Sequence, residues 1–146
     1  SKPRREPTPP ADLFRAVREN LPLVFDARPV SIRVDDDCPD ANVDPVLALE
    51  ILVNLIENAH RVSPPHAPLE LTAQALDAAR VRIEVLDRGP GVPDGFTDAS
   101  GLGLEIARTL ANVNAGSVEI APRPGGGAIA RLDVPSAPLP AMSESS

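Results

Sequence analysis

Apolar and polar positions sort this chain into short, well-separated elements. From Val81 to Leu86 apolar residues alternate with Arg82 and Glu84, the period of a strand that buries one face. Leu69 to Leu76 precedes it across the tight turn Ala78-Ala79, so the two predict a hairpin. Ser117 to Ala121 and Gly127 to Val134, joined by the turn from Pro122 to Gly126, predict a second one, and Val30 to Val34 alternates as a short further strand. Leu13, Phe14, Val17, Leu21, Val24 and Phe25 form a helical stripe between Asp12 and Ala27, with a kink expected at Pro22. The clearest helix begins at Asp44-Pro45, an N-cap carboxylate followed by a proline at the first helical position. Val46, Leu47, Leu49, Ile51, Leu52, Leu55 and Ile56 make it apolar over a wide face, and Ser63-Pro64-Pro65 stops it near Val62. A last helix is expected from Gly101 to about Asn114, with Gly116 as its left-handed cap.

The strands arrive as hairpins and do not alternate strictly with helices. That pattern predicts an α/β two-layer sandwich, a mixed and mostly antiparallel sheet with helices on one face. Residues 1–10 and 136–146 are rich in Pro and polar residues and read as disordered tails or linkers, which leaves a single domain over 11–135. With three Phe and neither Trp nor Tyr, its core must be built from Leu, Val, Ile and Ala.

Charge and cysteine content narrow the function. A net charge of −7 argues against a sequence-independent grip on nucleic acid or on an anionic membrane. A lone Cys38 excludes an internal disulfide and a cysteine zinc cluster, and fits a reducing, cytoplasmic setting. No apolar run approaches the length of a membrane span. Asp35-Asp36-Asp37 lacks the glycine and glutamate of a calcium loop and reads as a solvated turn. The chain starts without Met, as a piece of a longer protein would.

Three stretches carry candidate chemistry. On the helix from Asp44, the residues Asn54, Glu57, Asn58 and Arg61 share one side of an otherwise apolar element. They either face a ligand, with carboxamide oxygens suited to Mg²⁺ and Arg61 to a phosphate, or satisfy each other, for instance as a Glu57–Arg61 pair. The strand ending at Leu86 runs into Asp87-Arg88-Gly89-Pro90-Gly91. A carboxylate there can accept a hydrogen bond from an exocyclic amine in an apolar slot; the alternative is an ordinary turn. Gly101-Leu102-Gly103-Leu104 opens a helix, where free backbone N–H groups favour anions. It is neither a P-loop, lacking Gly-Lys-Ser/Thr, nor a dinucleotide fingerprint, since Ile106 stands at the third glycine.

The order of these stretches resembles the GHKL superfamily of ATP-binding domains, and within it the bacterial sensor histidine kinases. Asn54-Leu55-Ile56-Glu57-Asn58-Ala59-His60-Arg61 is similar to their N box, Asp87-Arg88-Gly89-Pro90-Gly91-Val92-Pro93 to the first glycine box, and Gly101-Leu102-Gly103-Leu104 to the second. Arg123-Pro124-Gly125-Gly126-Gly127-Ala128 looks most like the potassium-sensing, Kdp-type branch. The resemblance covers roughly Asp12 to Pro135 and implies a Bergerat-type fold that binds ATP and Mg²⁺. It implies that Asp87 accepts the adenine amino group while Gly89 and Gly91 give the base room. Asn58, with Asn54, would hold Mg²⁺; Gly101, Leu102 and Gly103 would line the phosphates. Glu57 sits where related ATPases place a water-activating base and in kinases would instead polarise the attacking histidine, and Arg61 stands where the family usually has Lys. The implied partners are a histidine-bearing dimerisation domain and a response regulator, in the cytoplasm.

This chain also departs from the pattern. Only residues 94–100 separate the two glycine boxes, where sensor kinases usually carry a longer lid with a Phe-x-x-Phe box; Phe96 alone remains, and Asp94 and Asp98 add negative charge. Ala99 replaces a glycine of the usual Gly-x-Gly-x-Gly run, and Val62 a common aromatic. These differences imply a nucleotide site open to water, weak in binding and slow in transfer. His60, expected on the helix surface, and His66, in a loop, both lack the setting of a phosphoacceptor. Acceptor helices are therefore expected before residue 1 or on a partner. Two rival readings are a degenerate module of the same fold used for docking or nucleotide sensing, and a serine kinase of the anti-sigma type.

Overall fold

The computed structural model describes residues 2–91 and 104–138. Within them lie strands β1 (Glu6–Thr8), β2 (Val30–Val34), β3 (Ala41–Val43), β4 (Leu69–Asp77), β5 (Arg80–Leu86), β6 (Ser117–Pro122) and β7 (Ala128–Pro135). The helices are α1 (Pro10–Asn20), α2 (Pro22–Ala27), α3 (Pro45–Val62) and α4 (Leu104–Val113). Five strands form the main sheet in the order β2-β4-β5-β7-β6. β2 pairs with β4 in parallel, and the other three pairings are antiparallel. α3 lies in the crossover between the parallel strands, the connection such a pair requires.

Alternation along the strands sorts the sheet into two faces. Leu69, Leu71 and Ala73 of β4, Val81, Ile83 and Val85 of β5, and Ala130, Leu132 and Val134 of β7 point inward and are buried. Against them pack Leu13, Phe14 and Val17 of α1, Ile51, Leu52, Leu55 and Ile56 of α3, and Leu104, Ala107 and Ala111 of α4. The opposite face is held by cross-strand ion pairs. Arg82 donates to both Asp133 oxygens at 2.9 and 3.0 Å, and Arg131 donates to Glu84 at 2.8 Å. The expected two-layer sandwich is therefore present, with its helices on one face.

Three expectations need correction. The tail expected over residues 1–10 is ordered from Glu6, where β1 pairs antiparallel with β3, a strand the sequence pattern also missed. Three-residue strands are too short to show a period, and here the pairing partner lies some 35 residues away along the chain. The stripe from Asp12 to Ala27 is two helices broken at Leu21, because Pro22 starts a new first turn. The left-handed residue after α4 is Ala115 (φ 58), not Gly116. Gly116 serves close approach instead: a Cβ there would stand 2.4 Å from the Asp133 carbonyl oxygen.

α3 begins as the sequence predicts. Asp44 Oδ1 accepts from the Val46 and Leu47 amides at 3.0 and 3.3 Å, and Oδ2 accepts from the Arg4 amide at 2.9 Å. The Asp44 amide donates to Oδ1 of Asn114, which is fully buried and ties the end of α4 to the start of α3. Hydrogen bonds from the Arg4 amide, then from Leu47 and Val46, hold the Asp44 carboxyl below the usual carboxylate range. A folded-state pKa below the unfolded one contributes stability that is present at neutral pH and is lost as pH falls through the folded value. Asp44→Ala is thus expected to cost about 1 kcal/mol at pH 7 in urea unfolding. That difference should shrink as pH drops below about 4, where the unfolded carboxyl begins to protonate.

Candidate functional site

β5 delivers Asp87 to the end of the sheet. The Asp87 amide donates to the Ala128 carbonyl at 3.0 Å, which extends the β5–β7 ladder by one residue. Its Oδ1 then accepts from the Gly89 amide at 2.8 Å and from the Ala128 amide at 3.1 Å. Oδ2 has no hydrogen-bond partner among the described residues, although Asp87 is only 5% exposed. One oxygen is fixed by the backbone and the other remains for a ligand.

That carboxylate opens onto a cavity of about 270 Å³. Its walls are mainly aliphatic: Leu55, Ala59 and Val62 from α3, Val85 from β5, Leu104 from α4, Ile120 from β6, and Ala130 from β7. A slot of this size and polarity, with one anchored carboxylate, offers room for a flat ring and an acceptor for an exocyclic donor. Asn58, Pro90 and Gly91 complete the rim.

The polar stripe of α3 reaches the same rim. Among the described residues Asn54 Oδ1 and Asn58 Nδ2 are buried and have no hydrogen-bond partner, as groups that face a ligand would. Arg61 donates to Asn58 Oδ1 and does not pair with Glu57, so the self-satisfied Glu57–Arg61 alternative is not what forms. Glu57 is exposed. The structure thus brings Asn58, Asp87 and Gly91 to one cavity, with Asn54 one helical turn away and Arg61 bound to Asn58. Gly89 lies just behind: a Cβ there would meet the Val62 carbonyl oxygen at 2.9 Å, so this glycine makes room for α3 as well as for any base. Gly101, Leu102, Gly103 and the short segment 94–100 lie outside the described residues.

Two arginines hold positions that the sequence pattern does not show. Arg28, buried at the end of α2, donates to His60 Nδ1 at 2.9 Å and to the Pro64 and Ala67 carbonyls at 2.9 and 2.7 Å. His60 is therefore no free surface residue; it anchors the end of α3 to the corner before β2. A single Arg gives no sequence signal for this, since three of its four acceptors are backbone carbonyls, that of His60 at 3.4 Å included. Arg123, marked only as part of a branch signature, donates to the Asp87 carbonyl at 3.0 Å and pairs with Glu70. Nor was the backbone amide of Ala128 foreseen; only the β5–β7 register reveals it.

Comparison with known proteins agrees with this fold. Residues 43–138 match the family described as histidine kinase-, DNA gyrase B-, and HSP90-like ATPase. The chain is 27% identical over 143 residues to the adaptive-response sensory kinase SasA of Synechocystis sp. (strain ATCC 27184 / PCC 6803 / Kazusa), covering 86% of this chain and 37% of that protein. It is 27% identical over 132 residues to the sensor protein KdpD of Escherichia coli (strain K12), covering 80% of this chain and 15% of that one. Among solved structures, full-length ShkA in complex with AMPPNP superposes with a TM-score of 0.80 at 30% identity, over 97% of this chain and 33% of the other. The chain spans well under half the length of each.

Proposed function

The chain belongs to the histidine kinase-, DNA gyrase B-, and HSP90-like ATPase family, and from that premise we propose that it is the ATP-binding catalytic domain of a sensor histidine kinase. The observation that carries the reading is the Asp87 carboxylate, with Oδ1 held by two backbone amides and Oδ2 left at an apolar cavity. Oδ2 accepts the adenine amino group, and the aliphatic walls take the ring faces. Bound ATP supplies the γ-phosphoryl group, and the protein's task is mostly positioning and charge neutralisation.

Asn54 Oδ1, unpartnered among the described residues, is the hard oxygen that would hold Mg²⁺, which would supply charge neutralisation at the nucleotide phosphates. Asn58 shares that duty once Arg61 releases its oxygen to neutralise a phosphate. Among the described residues no group of three or more His, Cys, Asp or Glu could hold a metal ion. Glu57, exposed beside them, orients the incoming histidine. That histidine belongs to a separate dimerisation domain, since His60 is bound to Arg28 and His66 sits in a turn with φ 67. A response regulator is the next phosphoryl acceptor. We place the domain, residues 11–135 extended by β1, in the cytoplasm, the compartment that its reading as a sensor-kinase domain implies.

Calorimetry with Mg-ATP, followed by transfer to a histidine-bearing partner domain, tests this. Binding should be measurable, the phosphorylated product acid-labile, and Asn54→Ala should erase most of the gain in affinity that Mg²⁺ brings, about tenfold for one lost oxygen ligand and its phosphate bridge. No heat at millimolar nucleotide sinks the assignment. Binding without transfer would favour the docking module, as the short segment 94–100 suggests. An acid-stable product would favour the serine kinase.

A further inference from the structure

The Gly-rich turn between β6 and β7 meets the site at one point. Arg123 opens it, and the turn closes on itself through Arg123 N to Gly127 O at 2.9 Å and Gly126 N to Arg123 O at 3.0 Å. The Arg123 side chain is folded inward and only 8% exposed. Its guanidinium reaches two places, the Glu70 carboxylate on β4 and, through Nη1, the backbone carbonyl of Asp87 at 3.0 Å. Gly127 lies against that same carbonyl, and the next residue, Ala128, supplies both the amide that holds Oδ1 and the carbonyl that receives the Asp87 amide.

Among the described residues, every fixed point of Asp87 except the Gly89 amide therefore comes from this turn or from the first residue of β7. Arg88, which also reaches the turn at the Gly126 carbonyl, is exposed and leaves Asp87 itself untouched. A planar guanidinium locked on one side by a carboxylate holds what it binds on the other at a set distance and angle. We propose that Arg123 is a positioning residue for Asp87. Anchored by Glu70, it fixes the peptide after Asp87, and so the place of Oδ2, and thereby sets the preference for a 6-aminopurine over a 6-oxopurine. The proposal rests on Asp87 as the acceptor of the base's amino group. If Arg123 only stapled β4 to the turn, its loss would lower stability and weaken all nucleotides alike.

The test measures Mg-ADP and Mg-inosine diphosphate binding to the full chain by calorimetry. Wild type should prefer ADP, and Asp87→Asn should abolish that preference. Arg123→Met should weaken ADP by about tenfold, the scale of one hydrogen bond to a charged group, while inosine diphosphate stays within about twofold. Arg123→Lys keeps the charge and loses the fork, so it should fall between. An ADP-to-inosine ratio unchanged in Arg123→Met overturns the proposal, whether both affinities hold or both fall together. Should Arg123→Met fail to melt cooperatively, Arg123→Lys and Glu70→Gln are judged by the same ratio. A wild type without preference, or an Asp87→Asn variant that retains it, overturns the reading of Asp87 and the Arg123 role with it. A preference lost in Asp87→Asn but kept in the Arg123 variants removes the Arg123 role alone.

Discussion

Asp87→Asn is expected to weaken Mg-ATP binding about a hundredfold, roughly 3 kcal/mol, while the domain stays folded. The substitution preserves shape, and its remaining carbonyl oxygen can still accept from the Gly89 and Ala128 amides. What changes is the outer position, where an NH₂ donor now faces the donor amine of adenine. A charge-assisted hydrogen bond is lost and two donors are left opposed inside an apolar cavity. The same exchange should spare inosine triphosphate, whose exocyclic 6-oxo oxygen accepts from the new amide. Calorimetry with both nucleotides on both proteins measures the effect; equal ATP affinity for wild type and variant would remove Asp87 from the site.

The second large effect concerns stability. Gly127 has φ +108, and a Cβ placed on it would lie 2.0 Å from the Asp87 carbonyl oxygen, a backbone atom that cannot step aside. Gly126 beside it has φ +110, yet a Cβ there meets nothing within 4 Å. Gly126→Ala should therefore cost only the backbone strain, about 1–2 kcal/mol. Gly127→Ala adds a collision and should exceed about 3 kcal/mol, taking nucleotide binding with it as β7 is pushed from β5. Urea unfolding of the pair separates the two contributions, and equal losses would show that close approach at residue 127 is unimportant.

Local chemistry made some of this legible and left the rest silent. α3 could be read to the residue because Asp44-Pro45 and Ser63-Pro64-Pro65 act on the nearest turn of backbone. Both hairpins followed from alternation and turn residues, and Asp87 from its place after an apolar run. β1 and β3 were hidden because a strand of three residues is defined by its partner. At the end of α4 the glycine signal was real but its cause was misassigned: Gly116 is needed for the approach of β7, and Ala115 carries the left-handed turn. In the site, the amide stripe Asn54–Asn58 could be read because polar residues interrupt an apolar helix. Arg123 could not, since its partners Glu70 and the Asp87 carbonyl lie 53 and 36 residues away and only the folded sheet brings them together.

Every residue of the nucleotide boxes lies after Asp44, so a shortened chain starting there would keep the whole signature. It would not keep Arg28, whose guanidinium fastens His60 and the carbonyls beyond α3, nor Phe14 and Val17, which sit under that helix. Asn58 and Val62 would then stand on a helix end with its bolt withdrawn. The recognisable portion of this molecule is therefore shorter than the portion that packs around its candidate site.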